Sequence, residues 1–379
     1  MRTTVYFLLF LCLALSQVVQ SETISQEKAK LPLEKIKLPK NFEISVFAVV
    51  PGARSLAISP DGTIFVGSGG LSGSVKKVYS VRDTNGDNKA DVVKVLADGL
   101  NSPNGVAYRD GNLYIGEIHQ IQVIKNVDKF VKDVKAVARP EKIGPSFPKD
   151  KHHGWKFIRF DQNGNLYVPV GAPCNVCKTD PGYATIFKVD LKSNKKEIVA
   201  EGVRNTVGFD FHPATNELWF TDNGRDWMGD NIPPCELNRL EKEKSHFGFP
   251  HCHGKHIEDP EFKNKLGCLS YAPPVLELGA HVAPLGMRFY IGKQFSEEYR
   301  NQIFIAEHGS WNRSQPQGYK VGLAKLDGNK VISYTTFAEG WLSGKDYWGR
   351  PVDVEIYTDG SLLVSDDYAG VIYRISQKR

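Results

Sequence analysis

Short apolar stretches alternate with Asp-Gly and Asn-Gly turns along most of this chain, and the alternation repeats. Leu56 to Val66 reads as strand, Pro-Asp-Gly turn, strand. The same pattern returns over Val106–Ile115, Phe157–Val168, Phe209–Phe220 and Val354–Val364, with a looser copy from Met287 to Ile305. Alternating apolar residues around such a turn are the strongest short-range hairpin signal. The copies recur at roughly 50 to 60 residues, with one wider interval of about 80 before the fifth, a spacing that suits propeller blades. The fold predicted is all-β: a six-bladed β-propeller of four-stranded antiparallel blades. The strand after Phe42 should pair into the last blade and hide its edge. Long amphipathic helical patterns are nearly absent, which weighs against α/β folds. The wide interval, Arg225 to Ala280, is rich in Pro, Gly, His and Cys and reads as a long loop over one end, where ligand sites gather.

The first residues stand apart from this pattern. Arg2, the apolar run Val5–Leu15 and plausible cleavage positions at Val19-Gln20-Ser21 read as a secretory signal peptide, 1–21. The run is short for a membrane anchor, the alternative reading. Residues 22–39 are rich in Lys, Glu and Pro and should pack loosely, leaving 40–379 as one propeller domain. The expected location is secreted, with no membrane association after signal cleavage. A net charge of +5 spread along the chain gives no argument for a nucleic-acid partner. Cys12 leaves with the signal. In an exported chain the remaining cysteines favour disulfides, paired as Cys174–Cys177 and Cys252–Cys268 with Cys235 free. Half a zinc site or a redox pair is the competing reading of Cys174-Asn-Val-Cys177, but no second CxxC accompanies it.

Several loops carry candidate chemistry. Asp83, Asn85, Asp87 and Asp91 place oxygen side chains at the first, third, fifth and ninth positions of a tight loop. With the Lys89 carbonyl they suit Ca²⁺, although no Glu completes an EF-hand; a solvated turn is the plainer reading. In His152-His153-Gly-Trp, at most one histidine can face a site, and imidazole suits a general base. Arg204-Asn205 precedes the fourth repeat, Thr221-Asp-Asn-Gly224-Arg225 follows its second strand, and Arg350-Pro-Val-Asp353 opens the sixth. Each alone can be an ordinary turn. Together they gather ionisable groups at one end of the ring, as a carboxylate-bearing cofactor requires. The chain has no GxGxxG, GxxxxGK[ST], GxSxG or HExxH.

In this order the motifs resemble the glucose/sorbosone dehydrogenase family of quinoproteins over Leu38 to Ile375. The most specific stretches are His153-Gly-Trp-Lys, Tyr167–Cys177, Gly202-Val-Arg-Asn205, Thr221–Gly224, Phe247–Gly254, His281–Met287 and Glu307–Arg313. They are more similar to the sorbosone and fungal pyranose dehydrogenase branch than to the bacterial glucose enzymes. The resemblance implies oxidation of an aldose or related sugar, with pyrroloquinoline quinone and Ca²⁺ as cofactors and an external electron acceptor. It implies His153 as the base, Arg204, Asn205 and Arg350 as cofactor-binding residues, and Arg54 and Arg313 as further candidates. The carbonyls of Gly224 and Arg225 are the implied Ca²⁺ ligands. Two departures stand out: Ala172 occupies the position of an acid that orients the base in the bacterial enzymes, and the family's Lys beneath the quinone is missing, with His308 and Arg313 in its region. Competing functions are a Ca²⁺-dependent propeller hydrolase of the lactonase kind and a non-catalytic binding propeller for sugars or proteins.

Overall fold

A computed structural model describes residues 22–26, 30–69, 74–133 and 135–378. The expected signal peptide, 1–21, with Cys12, lies outside the described residues. Six four-stranded antiparallel blades form the propeller. The first uses Ala53–Ile58, Ile64–Ser68, Val78–Arg82 and Val92–Ala97, and the second Gly105–Arg109, Asn112–Gly116, Ile121–Ile124 and Glu141–Ile143. The third is Arg159–Phe160, Leu166–Val170, Thr185–Asp190 and Lys195–Glu201; the fourth is Phe209–Phe211, Leu218–Asp222, Pro234–Arg239 and Leu276–Ala280. The fifth runs Pro284–Phe289, Ile303–Glu307, Lys320–Asp327 and Lys330–Glu339. Pro351–Ile356, Leu362–Asp366 and Val371–Gln377 make the sixth, and Phe42–Val49 supplies its fourth strand, pairing from Phe42↔Gln377 to Val49↔Val371. Chain closure thus joins the two ends of the domain through backbone hydrogen bonds, as the sequence predicts.

The repeated turns explain the repeated hairpins. Gly62 and Gly360 sit at φ 84° and 87°, a region glycine enters without strain. The preceding Asp61 and Asp359 accept the amides of Thr63 and Ser361, which locks each turn. Between blades the apolar faces interdigitate, for example Leu56, Val66 and Val93 with Leu363 and Ile372.

Two expectations about loops need correction. Residues 225–280 are not simply a loop over one end, because Pro234–Arg239 and Leu276–Ala280 are strands of blade four. The true insertion lies between them and runs along the outer edge of blades three and four, where Ser245–His246 pairs parallel to Ala200 and Glu201. The described part of 22–39 is also not loose. Leu31, Leu33, Ile36 and Leu38 pack on the core of blades five and six, and Thr23 and Lys37 bridge to Lys94 and Glu339. Both disulfides form as paired above, and Cys235 is free and buried. No helix among the described residues is long and apolar enough to cross a membrane.

Candidate active site

Antiparallel pairing sets where chemistry gathers. The start of each first strand lies opposite the end of the second, as in Ala53↔Ser68, Pro284↔Glu307 and Pro351↔Asp366. Residues entering first strands (Arg54, Arg204, Arg350) and leaving second strands (Asn223, His308, Asp367) therefore meet at one end of the ring. They line a cavity of about 380 Å³. A larger depression of about 650 Å³ lies among the hairpin turns at the opposite end. There Arg159 pairs with Asp210 at 3.0 Å and Glu355 at 2.9 Å, and Arg288 with Glu355 at 2.9 Å, so the charges answer one another. The smaller cavity is the candidate site because its charge is unbalanced: three guanidiniums face the carboxylates of Asp226 and Asp367.

His153 stands in the wall of this cavity with its ring oriented. Its Nδ1 lies 2.9 Å from the Ala172 carbonyl oxygen, so Nδ1–H donates and Nε2 keeps its lone pair. Ala172 is itself fixed, its amide donating to the Arg204 carbonyl at 2.8 Å. The backbone of Ala172 therefore does the orienting that its side chain cannot. The close approach depends on Gly171, where a Cβ would fall 2.5 Å from the His153 Cβ. Burial, and then the charges of Arg204 and His152, hold the imidazole well below its ordinary value, which keeps it neutral with the Nε2 lone pair open. His152 is exposed, its ring 4.1 Å away from that of His153, and it does not line the cavity.

The three arginines differ in how many donors they have left. Arg204 spends all five N–H groups on the protein: Nε on Asn175 O, Nη1 on the carbonyls of Asn223 and Gly224, and Nη2 on Asn175 Oδ1 and Asp226 Oδ2. Arg350 donates from Nε to His308 O and from Nη2 to Gly309 O, and among the described residues Nη1 has no partner. Arg54 donates to Asn104 Oδ1 and, at 2.6 Å, to Asp367 Oδ2, stacks 4.0 Å over Trp155, and likewise keeps Nη2 free. Burial would raise Asp367, but His308, Arg54 and Arg350 drive it far below the usual carboxylate range. Burial, with Arg350 and Arg54 behind it, pushes His308 down to about 4 despite its bond to Asp367. His308 is thus a neutral group beside an ionised Asp367. Asn205 lines the cavity as well, its amide nitrogen donating to Asp222 Oδ1 at 2.6 Å.

Other predicted site residues fall elsewhere. Arg313 does not line the cavity; its Nε donates to Gln315 O. Gly224 lines it, whereas the Arg225 side chain turns away to Asp259 at 2.5 Å and Glu261 at 2.8 Å. Asp83, Asn85, Asp87, Lys89 and Asp91 lie in the exposed turn between the last two strands of blade one, apart from the cavity. Among the described residues no three His, Cys, Asp or Glu side chains converge as a metal cage. The sequence assigns no site role to Asp226 or Asp367, nor to Asn175 and His281 within their motif stretches. Asp367 had a legible signal: it follows its blade's second strand, as Asn223 and His308 do.

A carboxyl pair sits behind the site. Asp222 accepts the amides of Arg204 and Asn205, yet burial raises it to about 6. Glu236, beside it in the sheet, is pushed up to about 8 by burial and then by Asp222. A raised carboxyl stabilises the fold below its unfolded value and loses that contribution as pH rises through its folded value. Glu236→Gln keeps the acceptor for Gly254 N and removes the ionisation. The variant should melt about 2–4 °C higher than wild type at pH 9 and close to it at pH 5, read by calorimetry across pH.

Comparisons with known proteins give the chain a family and its fold several solved counterparts. A family described as "Domain of unknown function (DUF7133)" matches residues 25–376. A Borreliella burgdorferi protein named only "Uncharacterized protein" is 40% identical over 375 residues, 94% of each chain. Among solved structures, the calcium structure of a Trichoderma reesei Carbohydrate-Active Enzymes Family AA12 protein superposes with a TM-score of 0.76 at 18% identity, covering 93% of this chain and 99% of that one. The holo PQQ domain of Coprinopsis cinerea pyranose dehydrogenase gives 0.73 at 17% identity, covering 90% and 97%. These structural likenesses show a shared fold, the six-bladed propeller.

Proposed function

The chain belongs to the DUF7133 family, and from that premise we propose that it is a sugar dehydrogenase using pyrroloquinoline quinone and Ca²⁺. The observation that carries this reading is the cavity itself: an oriented, neutral His153 faces three guanidiniums, two of them with unspent donors. The quinone is a planar tricarboxylate, and such an anion matches that donor set. Solved structures of the same fold support the reading, one being the holo form of a PQQ domain and another a calcium structure.

Within this reading each residue has a defined task. Arg350 and Arg54 offer their free N–H groups to carboxylates, while Arg204 braces the Asn223 and Gly224 carbonyls and adds charge. The carbonyls of Gly224 and Arg225 are the groups that would hold Ca²⁺, steadied by the tie of Arg225 to Asp259 and Glu261. His153 Nε2 takes the proton of the sugar hydroxyl, and Ala172 O keeps Nδ1–H in place as the ring becomes cationic. A bound quinone would supply the hydride acceptor, and Ca²⁺ would supply the Lewis acid that polarises it. Titration of the purified protein with the quinone, with and without Ca²⁺, tests the reading. A tightly held chromophore and sugar-dependent dye reduction are expected; neither appearing would overturn it and leave the binding-propeller alternative.

The Asp83–Asp91 loop is proposed as a separate, structural Ca²⁺ site. Asp83 accepts the amides of Asn85, Gly86 and Asn88, and Asp91 accepts that of Thr84, so the turn is already ordered. Ala90 donates to Phe47 O, which ties the turn to the closing strand. A metal that binds only the folded state stabilises by mass action, about 2.7 kcal/mol at a hundredfold excess over Kd. Chelation should lower the melting temperature, and Asp87→Ala should remove most of the response. An unmoved wild-type curve would refute the site.

A further inference from the structure

We propose that Trp227 and Trp311 form a stacking platform for a second pyranose ring, so that this cavity takes a sugar belonging to an oligosaccharide. The inference rests on the sugar-dehydrogenase reading for what happens at the first ring. Both indoles are exposed, at 70% and 65%. They meet edge to face with ring centroids 5.3 Å apart, and Trp311 also lines the cavity. Two large apolar side chains left open at the rim of a polar cavity mark a contact surface and contribute nothing to the core.

The pair is held in place by polar ties on both sides. Trp227 sits at φ 69°, a left-handed conformation disfavoured for an aromatic residue. Its loop is joined to that of Trp311 by Asn312 Nδ2 donating to Asp226 Oδ1 at 2.7 Å and by Ser314 donating from N and Oγ to Asp230. His281 Nε2 donates to Gly229 O at 2.8 Å on the same loop. Asp226 in turn accepts from Arg204, so the platform is continuous with the wall of the cavity.

A pyranose ring suits this surface from two directions. Its C–H face can lie on an indole, and its hydroxyl edge can reach the acceptors beside it. Asn312 lines the cavity, and Asp230 lies next to the platform. A neutral, polyhydroxylated ligand satisfies such acceptors without adding charge.

Calorimetry on the quinone-free protein tests the platform directly, using cellotriose, maltotriose and chitotriose, each against its monosaccharide. At least one trisaccharide should bind roughly tenfold more tightly than its monosaccharide, the worth of one aromatic stacking contact. Trp227→Ala, and more fully the double variant with Trp311→Ala, should abolish that advantage while the melting curve stays near wild type. In the loaded enzyme the trisaccharide-to-monosaccharide ratio of kcat/KM should fall by the same factor. No trisaccharide advantage in the wild type, or an advantage that survives the double variant, overturns the proposal. So does a defect seen only with a protein electron acceptor, which would make the pair a docking face for a redox partner. Trisaccharide binding without any dye reduction would keep the platform and sink the dehydrogenase reading instead.

Discussion

His153→Ala should cut sugar-dependent dye reduction by about 10² to 10⁴, the usual worth of general acid–base catalysis, while quinone binding stays within about twofold. The asymmetry follows from geometry. His153 donates to one backbone carbonyl and offers Nε2 to the cavity, so its loss removes a proton acceptor without removing a charged cofactor contact. His152→Ala is the control, since that side chain lies outside the cavity and touches it only through its effect on His153. The pH profile adds a second check. A base must be unprotonated to act, and burial and Arg204 depress this imidazole, so the acid limb of kcat/KM should lie below the ordinary imidazole value. Activity should then be flat through neutrality. Equal, small losses from both histidine variants would remove His153 from the mechanism.

Arg350→Ala should weaken quinone binding by about 10²-fold, within the range of roughly 2–5 kcal/mol seen when one partner of a buried charge pair is truncated. Arg350 is singled out because its Nη1 is unspent, while its other donors anchor it to His308 O and Gly309 O and its guanidinium lies 5.6 Å from the Tyr319 ring centroid and 5.4 Å from that of Tyr347. Arg350→Lys should recover little, because an ammonium lacks the planar fork that grips a carboxylate. Arg204→Ala should behave differently. It strips five hydrogen bonds from backbone and side-chain acceptors, the one to Asp226 being also an ion pair, so its main effect should be on folding, about 3–5 kcal/mol. Quinone titration and denaturant melts on the two variants separate these outcomes. A normal quinone affinity in Arg350→Ala would show that this arginine only props the blade.

Local chemistry alone determined much of this protein. Asp-Gly turns between alternating apolar runs need only neighbouring residues to form hairpins, and their count set six blades before any contact was known. The same holds for Cys174–Cys177, three residues apart. His153, Arg204, Asn205, Gly224 and Arg350 are nameable because blade repetition places their loops at one end, whereas Arg54 is named only by the family resemblance. What tertiary structure alone decided is which donors remain free there. Arg204, the arginine in the most specific motif, has every N–H engaged, and Arg54 owes its setting to Asp367, 313 residues away. Ala172 looked like a missing orienter until its carbonyl was seen against His153. Arg313 sat in the right motif, yet its side chain turns to Gln315 O. Hydrogen-bond partners chosen across a ring depend on distances that strand periodicity does not encode, so the sequence names the residues and only the packed ring assigns their bonds.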